Sequence, residues 1–191
     1  VHEQGQEEGV TTGFQLRQAA RTLRAGGLVL YPTEGVWGLG CDPLNPGAVE
    51  AILTLKSRPL SKGLILIARQ RAQLAPFVSD PDAIPETETP TTWVVPATAH
   101  CLPWLTGGRR TIAVRLTTHP VAASLCEAFG GAVVSTSANP GGRPAPRRIT
   151  QLHPRLRAEA DYLLAGACGG LRGPTPIRVL GTGEWTRGGR A

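Results

Sequence analysis

The stretch Asn45–Ala68, NPGAVEAILTLKSRPLSKGLILIA, decides the architecture. Asn45 supplies an N-cap and Pro46 a first-turn proline, which predicts a helix running to about Lys56. Val49, Ile52, Leu53 and Leu55 make its apolar side. Pro59 forbids continuation, because the residue before a proline, here Arg58, is pushed out of the α region. GLILIA, residues 63–68, is then a continuous apolar run of strand length, the pattern of a strand inside a sheet.

The same alternation extends outward. Thr12–Arg24 has Phe14, Leu16, Ala19, Ala20 and Leu23 near helical spacing, and Gly26-Gly27 stops that helix. LVLYP is a short buried strand ended by Pro32, whereas TEGVWGLGCD is too glycine-punctuated to be a regular helix. TTWVVPA and TIAVRL read as strands, Pro120–Phe129 as a helix, and GAVVSTSAN as a buried strand running into a polar loop. A helix over Thr150–Ala160 and late strands at DYLLAG and PIRVLG complete the pattern, with SDPDAIPETETPTT as a surface loop. Helices and strands alternate without strict βαβ order, so the fold class is α/β: a single domain with a mixed sheet, over residues 12–191. The polar, acidic residues 1–11 are expected to be a disordered lead-in, neither signal peptide nor transit peptide.

With 191 residues, 41% hydrophobic and 18% charged, the chain can build an ordinary core. No apolar run approaches the ~18 residues of a membrane span. The net charge of +6 favours anionic partners such as nucleotides or RNA, while an aromatic content of 5% argues against a base-stacking surface. Cys41, Cys101, Cys126 and Cys168 are scattered without ligand spacing, which points to reduced thiols in a cytoplasmic protein rather than to zinc. His119, just before Pro120, is expected to cap the helix that follows.

Three loops carry polar groups beside apolar strands: Pro32–Gly35, the Lys56/Arg58/Lys62 segment, and Ser135–Asn139. Among 20 basic residues the only lysines are Lys56 and Lys62, on either side of Arg58. A solvated turn would accept arginine as readily as the rest of the chain does, so the lysines argue for an anion site. Arginine supplies a planar fork and lysine a compact point charge. STSAN offers three hydroxyls and an amide, which can donate without adding charge, although alone it reads more readily as a hydroxyl-rich turn capping a neighbouring element. There is no G-x-S-x-G elbow and no P-loop spacing.

Together, YPTEGVWGLGCDP, LKSRPLSKGLILIA, WLTGGRRTIAVRLTTHP and VVSTSANPGGRP resemble the YrdC/Sua5 family of threonylcarbamoyl-AMP synthases, in its short single-domain bacterial form. The resemblance runs from about Leu28 onward. It implies a twisted mixed β-sheet flanked by helices around a basic concave cleft. It implies nucleotidyl transfer from ATP, with L-threonine and bicarbonate (or CO2) as the other substrates. The product would be threonylcarbamoyl-adenylate, for modification of adenosine 37 in tRNA by a downstream transferase complex. By the same resemblance Lys56, Arg58 and Lys62 hold the triphosphate, with Ser137 and Asn139 at the nucleotide phosphates. Thr33, Arg115 and Ser135 seat threonine, with Arg115 on its carboxylate, and Thr175 stands where relatives usually have serine. Mg²⁺ is expected with ATP, though no carboxylate cluster names its ligands; weak tRNA binding is a further expectation. PETETPTT replaces the family's usual Trp-Pro-Gly-Pro. The alternatives are a non-catalytic RNA-binding module, disfavoured by the lack of any RRM, KH or dsRBD pattern, and a related carbamoyl-adenylate domain.

Overall fold

The computed structural model describes residues 11–188. The lead-in expected at the start therefore lies, for residues 1–10, outside the described residues. Thr11 is placed: its hydroxyl donates to the Ala165 carbonyl.

Nine strands form one mixed sheet in the order β7-β1-β2-β6-β3-β5-β4-β8-β9. The strands are β1 Val29–Pro32, β2 Trp37–Gly40, β3 Ile65–Ala68, β4 Thr92–Pro96, β5 Thr111–Leu116, β6 Val133–Ser137, β7 Tyr162–Leu163, β8 Ile177–Val179 and β9 Trp185–Arg187. The β1/β7, β3/β5 and β4/β8 pairs are parallel and the other neighbours antiparallel. The helices are α1 Gly13–Arg24, α2 Pro46–Leu55, α3 Pro103–Thr106, α4 Pro120–Phe129 and α5 Pro154–Glu159. Among the described residues no helix is long and apolar enough to cross a membrane.

Alternation along the strands splits the core between the two faces of the sheet. Val29 and Tyr31 of β1, Ile67 of β3 and Val133 of β6 pack with Ala19 and Leu23 of α1 and Leu125 of α4. Leu30, Leu39, Leu66, Val114 and Val134 face the other way, toward Val49 and Ile52 of α2. The helix starts follow their caps. Thr12 and Gln15 close a capping box on α1, and Asn45 Oδ1 accepts from the Ala48 amide at 3.1 Å.

The α/β fold with a mixed sheet flanked by helices is as the sequence suggests; two strands appear where no element was assigned, and two local expectations change. TEGVWGLGCD contains a buried strand, β2, and a Cβ at Gly40 would run into the Val134 carbonyl of the neighbouring strand. Thr150–Ala160 is not one helix: a 3-10 turn at Ile149–Gln151 ends in extended Leu152, and Pro154 opens α5 instead of interrupting it. The strand β9, at Trp185–Arg187, forms one edge of the sheet. His119 stands at the N-cap of α4 but its side chain makes no cap bond; Nε2 meets the Ala167 carbonyl at 2.9 Å.

Candidate active site

Along β6 the apolar Val133 lies beneath α1 and α4, and the next residues on the same row are Ser135 and Ser137. Ser135 is registered with Ile65 of β3, and Ser137 with Gly38 of β2. Hydroxyls in place of methyls leave this end of the row without a helix to cover it. A cavity stands there, lined by Thr33, Gly38, Arg58, Ile65, Arg115, Ser135, Thr136, Ser137, Thr175 and Arg187 among others.

The loop after α2 aims two cations in different directions. Ser57, between them, has a left-handed backbone with φ of 48°, a conformation rare outside glycine. Lys56 turns inward and is buried; its Nζ donates to the carbonyls of Ser137 and Asn139. Burial, and then the charge of Arg58, push its pKa down to about 8. Arg58 turns to the cavity, braced by Nε and Nη2 donating to the Gly63 carbonyl at 3.1 and 2.9 Å. Lys62 ends a 3-10 turn and is exposed. Arg109 fastens that turn by donating to the Ser61 and Lys62 carbonyls at 2.7 and 3.1 Å.

On the opposite wall the Thr33 hydroxyl donates to the Val36 carbonyl at 2.6 Å, closing the β1–β2 turn. That turn buries Glu34, whose Oε2 lies 3.1 Å from Arg115 Nη2, with both side chains almost wholly enclosed. Thr117 donates its hydroxyl proton to Glu34 Oε1 at 2.6 Å. Burial works against the Glu34 charge, but Arg115 and the Thr117 hydroxyl outweigh it, holding the carboxyl below its ordinary range. Arg115 Nη1 donates to Thr175 Oγ1 at 2.9 Å, and Thr175 and Thr92 share a hydroxyl–hydroxyl bond of the same length. Arg115 Nε is buried without a partner among the described residues.

Thr33, Arg58, Arg115, Ser135, Ser137 and Thr175 thus meet at one cavity. Lys56 lies behind it, gripping the loop from within. Asn139 lines a neighbouring hollow with Arg143, Gln151 and His153, its Nδ2 donating to the Pro140 and Arg143 carbonyls. Lys62 remains at the surface. Four participants escaped the sequence: Glu34, Thr92, Thr117 and Arg187. Glu34 stands next to Thr33 in YPTE, which was its one available signal. Arg187 comes from edge strand β9, with Nε and Nη2 donating to the Thr175 carbonyl at 3.2 and 2.8 Å.

Carboxylates are scarce here. Among the described residues no group of three or more His, Cys, Asp or Glu is placed to hold a metal. Glu34 is already committed to Arg115 and Thr117. The residues present do not build a resident Mg²⁺ site.

Comparison with known proteins fits this arrangement. The Sua5/YciO/YrdC family model, described as "Telomere recombination", matches residues 21–186. A threonylcarbamoyl-AMP synthase of Alkalilimnicola ehrlichii is 52% identical over 184 residues, covering 93% of this chain and 97% of that protein. One of Halorhodospira halophila is 50% identical over 183 residues, covering 93% and 96%. The crystal structure of P. abyssi Sua5 complexed with L-threonine superposes with a TM-score of 0.77 at 28% identity. That match takes in 88% of this chain and 52% of the longer one.

Proposed function

The chain belongs to the Sua5/YciO/YrdC family, and on that premise we propose that it is a threonylcarbamoyl-AMP synthase. L-threonine, bicarbonate and ATP would give threonylcarbamoyl-adenylate, pyrophosphate and water. The observation that carries the proposal is 52% identity over almost the whole of a relative that bears that name. The cavity suits it chemically. The threonine amine adds to the carbon of CO2 and gives up a proton. A carbamate oxygen then attacks the α-phosphorus as the bond to pyrophosphate breaks. No covalent intermediate on the protein is needed, so alignment and charge compensation are the protein's task.

In this scheme Arg115, Thr33 and Ser135 seat threonine beside Thr175, and Arg58, Lys62, Ser137 and Asn139 meet the phosphates. An ammonium has three donors, and two of Lys56's are committed to the Ser137 and Asn139 carbonyls. Lys56 therefore serves the nucleotide chiefly by holding that loop, with one N–H left for an oxygen. The guanidiniums of Arg58, Arg115 and Arg187 support reading this cavity as the basic cleft that the resemblance implies. Mg²⁺ would arrive with ATP, bound by its phosphates, and no step is assigned to it. In this reading the adenylate would feed the threonylcarbamoyl modification of adenosine 37 in tRNA through a separate transferase, as a cytoplasmic reaction.

The test is incubation with ATP, Mg²⁺, bicarbonate and labelled L-threonine. Threonine-dependent pyrophosphate release and a labile labelled adenylate are expected. Absence of turnover, with RNA binding retained, would return the protein to the class of RNA-binding modules.

A further inference from the structure

Three guanidiniums line one cavity, yet they are held in two different ways. Arg58 is braced by a neutral carbonyl, that of Gly63, and Arg187 by that of Thr175. The three ion pairs found among the described residues are Arg69–Glu127, Arg71–Glu86 and Arg115–Glu34. Arg58 and Arg187 therefore keep their full charge for whatever enters. Arg115 does not, because Glu34 stands 3.1 Å behind it and is itself anchored by Thr117. None of the residues lining the cavity is acidic, so Glu34 is the carboxylate that makes the difference.

Three like charges around one small space would accept phosphate anywhere along it. We propose that Glu34 is a specificity-determining residue that sets an amino-acid subsite at Arg115 apart from the phosphate-binding charge of Arg58. It takes no part in bond making. By offsetting the charge of Arg115 it lowers the attraction there for a doubly charged phosphate more than for the single negative charge of an amino-acid carboxylate. Thr175 lines the cavity on that side, its hydroxyl held by Arg115 Nη1. Each substrate is thereby kept from occupying the other's place, a selection made by the repulsive partner as much as by the attractive one. The inference rests on the threonine-and-ATP function proposed above.

Calorimetric titration of L-threonine, with and without inorganic phosphate, tests it on the wild-type protein and on Glu34→Gln. In the wild type, threonine should bind and millimolar phosphate should leave its affinity unchanged. In Glu34→Gln, phosphate should compete with threonine, lowering its apparent affinity about tenfold, the scale at which charge complementarity discriminates partners. Thr117→Val, nearly isosteric and lacking the hydroxyl that anchors Glu34, should show the same competition to a smaller degree; it decides the matter if Glu34→Gln does not fold. Phosphate competing equally in all three proteins, or in none, overturns the role of Glu34 and leaves the proposed function standing. A wild-type protein that binds no threonine overturns both.

Discussion

Lys56 donates to the backbone carbonyl of Asn139 from 83 residues away in sequence, and through it the end of α2 is tied to the loop after β6. The same ammonium holds the Ser137 carbonyl. Two segments expected from the sequence to meet at a phosphate are thus joined to each other first.

A lysine with a pKa near 8 in the fold and 10.5 in its ordinary state makes stability depend on alkaline pH. Between those values the unfolded chain binds the extra proton, so the fold gains stability as pH rises through that window. Below about pH 8 the full penalty of burying the charge applies. Denaturant midpoints of wild type and Lys56→Met, compared at pH 7 and pH 10, should diverge in favour of the wild type by up to about 3 kcal/mol. A constant difference across this range would show that Lys56 is not buried as described.

Removing Arg115 strands Glu34. Arg115→Ala should cost about 3–5 kcal/mol, the usual consequence of leaving one buried ion unpaired. Arg115→Ala with Glu34→Gln should recover part of it, a coupling that a double-mutant cycle reads directly. Additive losses would mean that the two charges do not compensate each other.

Acid should act through the same pair. The Glu34 carboxyl is held below its ordinary value of 4.5, so its contribution is present above that value and lost as pH falls through the lower folded one. Wild type should lose stability more steeply than Glu34→Gln below about pH 4.5, as followed by circular dichroism. Parallel acid curves would contradict it.

Ser57 carries the backbone reversal that separates Lys56 from Arg58. Ser57→Gly should be neutral or slightly stabilising. Ser57→Val, a β-branched residue at φ of 48°, should cost about 1–2 kcal/mol and lower turnover by misdirecting both cations. Equal melting temperatures and rates for the two variants would remove this loop geometry from the mechanism.

Arg187 sits on an exposed edge strand, so Arg187→Ala should change stability by no more than about 0.5 kcal/mol. It should weaken both ATP and threonine binding, since the same side chain holds the Thr175 carbonyl beside Arg115. Unchanged affinity for both, measured by calorimetry, would take Arg187 out of the site.

What the sequence made legible follows its physics. Strands β1, β3, β5 and β6 are apolar runs in the middle of the sheet, where hydrophobic burial writes itself into composition. Strand β2 is hidden by Gly38 and Gly40, which are small because Tyr31 and the Val134 carbonyl come close. Strand β9 is exposed throughout and has no apolar pattern to read. The helix expected over Thr150–Ala160 starts too early because a proline at a first turn and one mid-helix differ only in what precedes them, and Pro154 is the former. At the site, Thr33, Arg58, Ser135 and Ser137 could be picked out by motif. Glu34 and Thr117 could not be matched to Arg115, since a buried ion pair between distant segments leaves no spacing in the chain. His119 had the right position for a cap, but a carbonyl from Ala167 drew its ring away.

Thr33 stands near the start of the described chain and Arg187 at its far end, yet both line one cavity. Strand β9 thus closes the cavity from the opposite end of the described chain, and removing it would take away one of the three guanidiniums together with the grip on the Thr175 carbonyl.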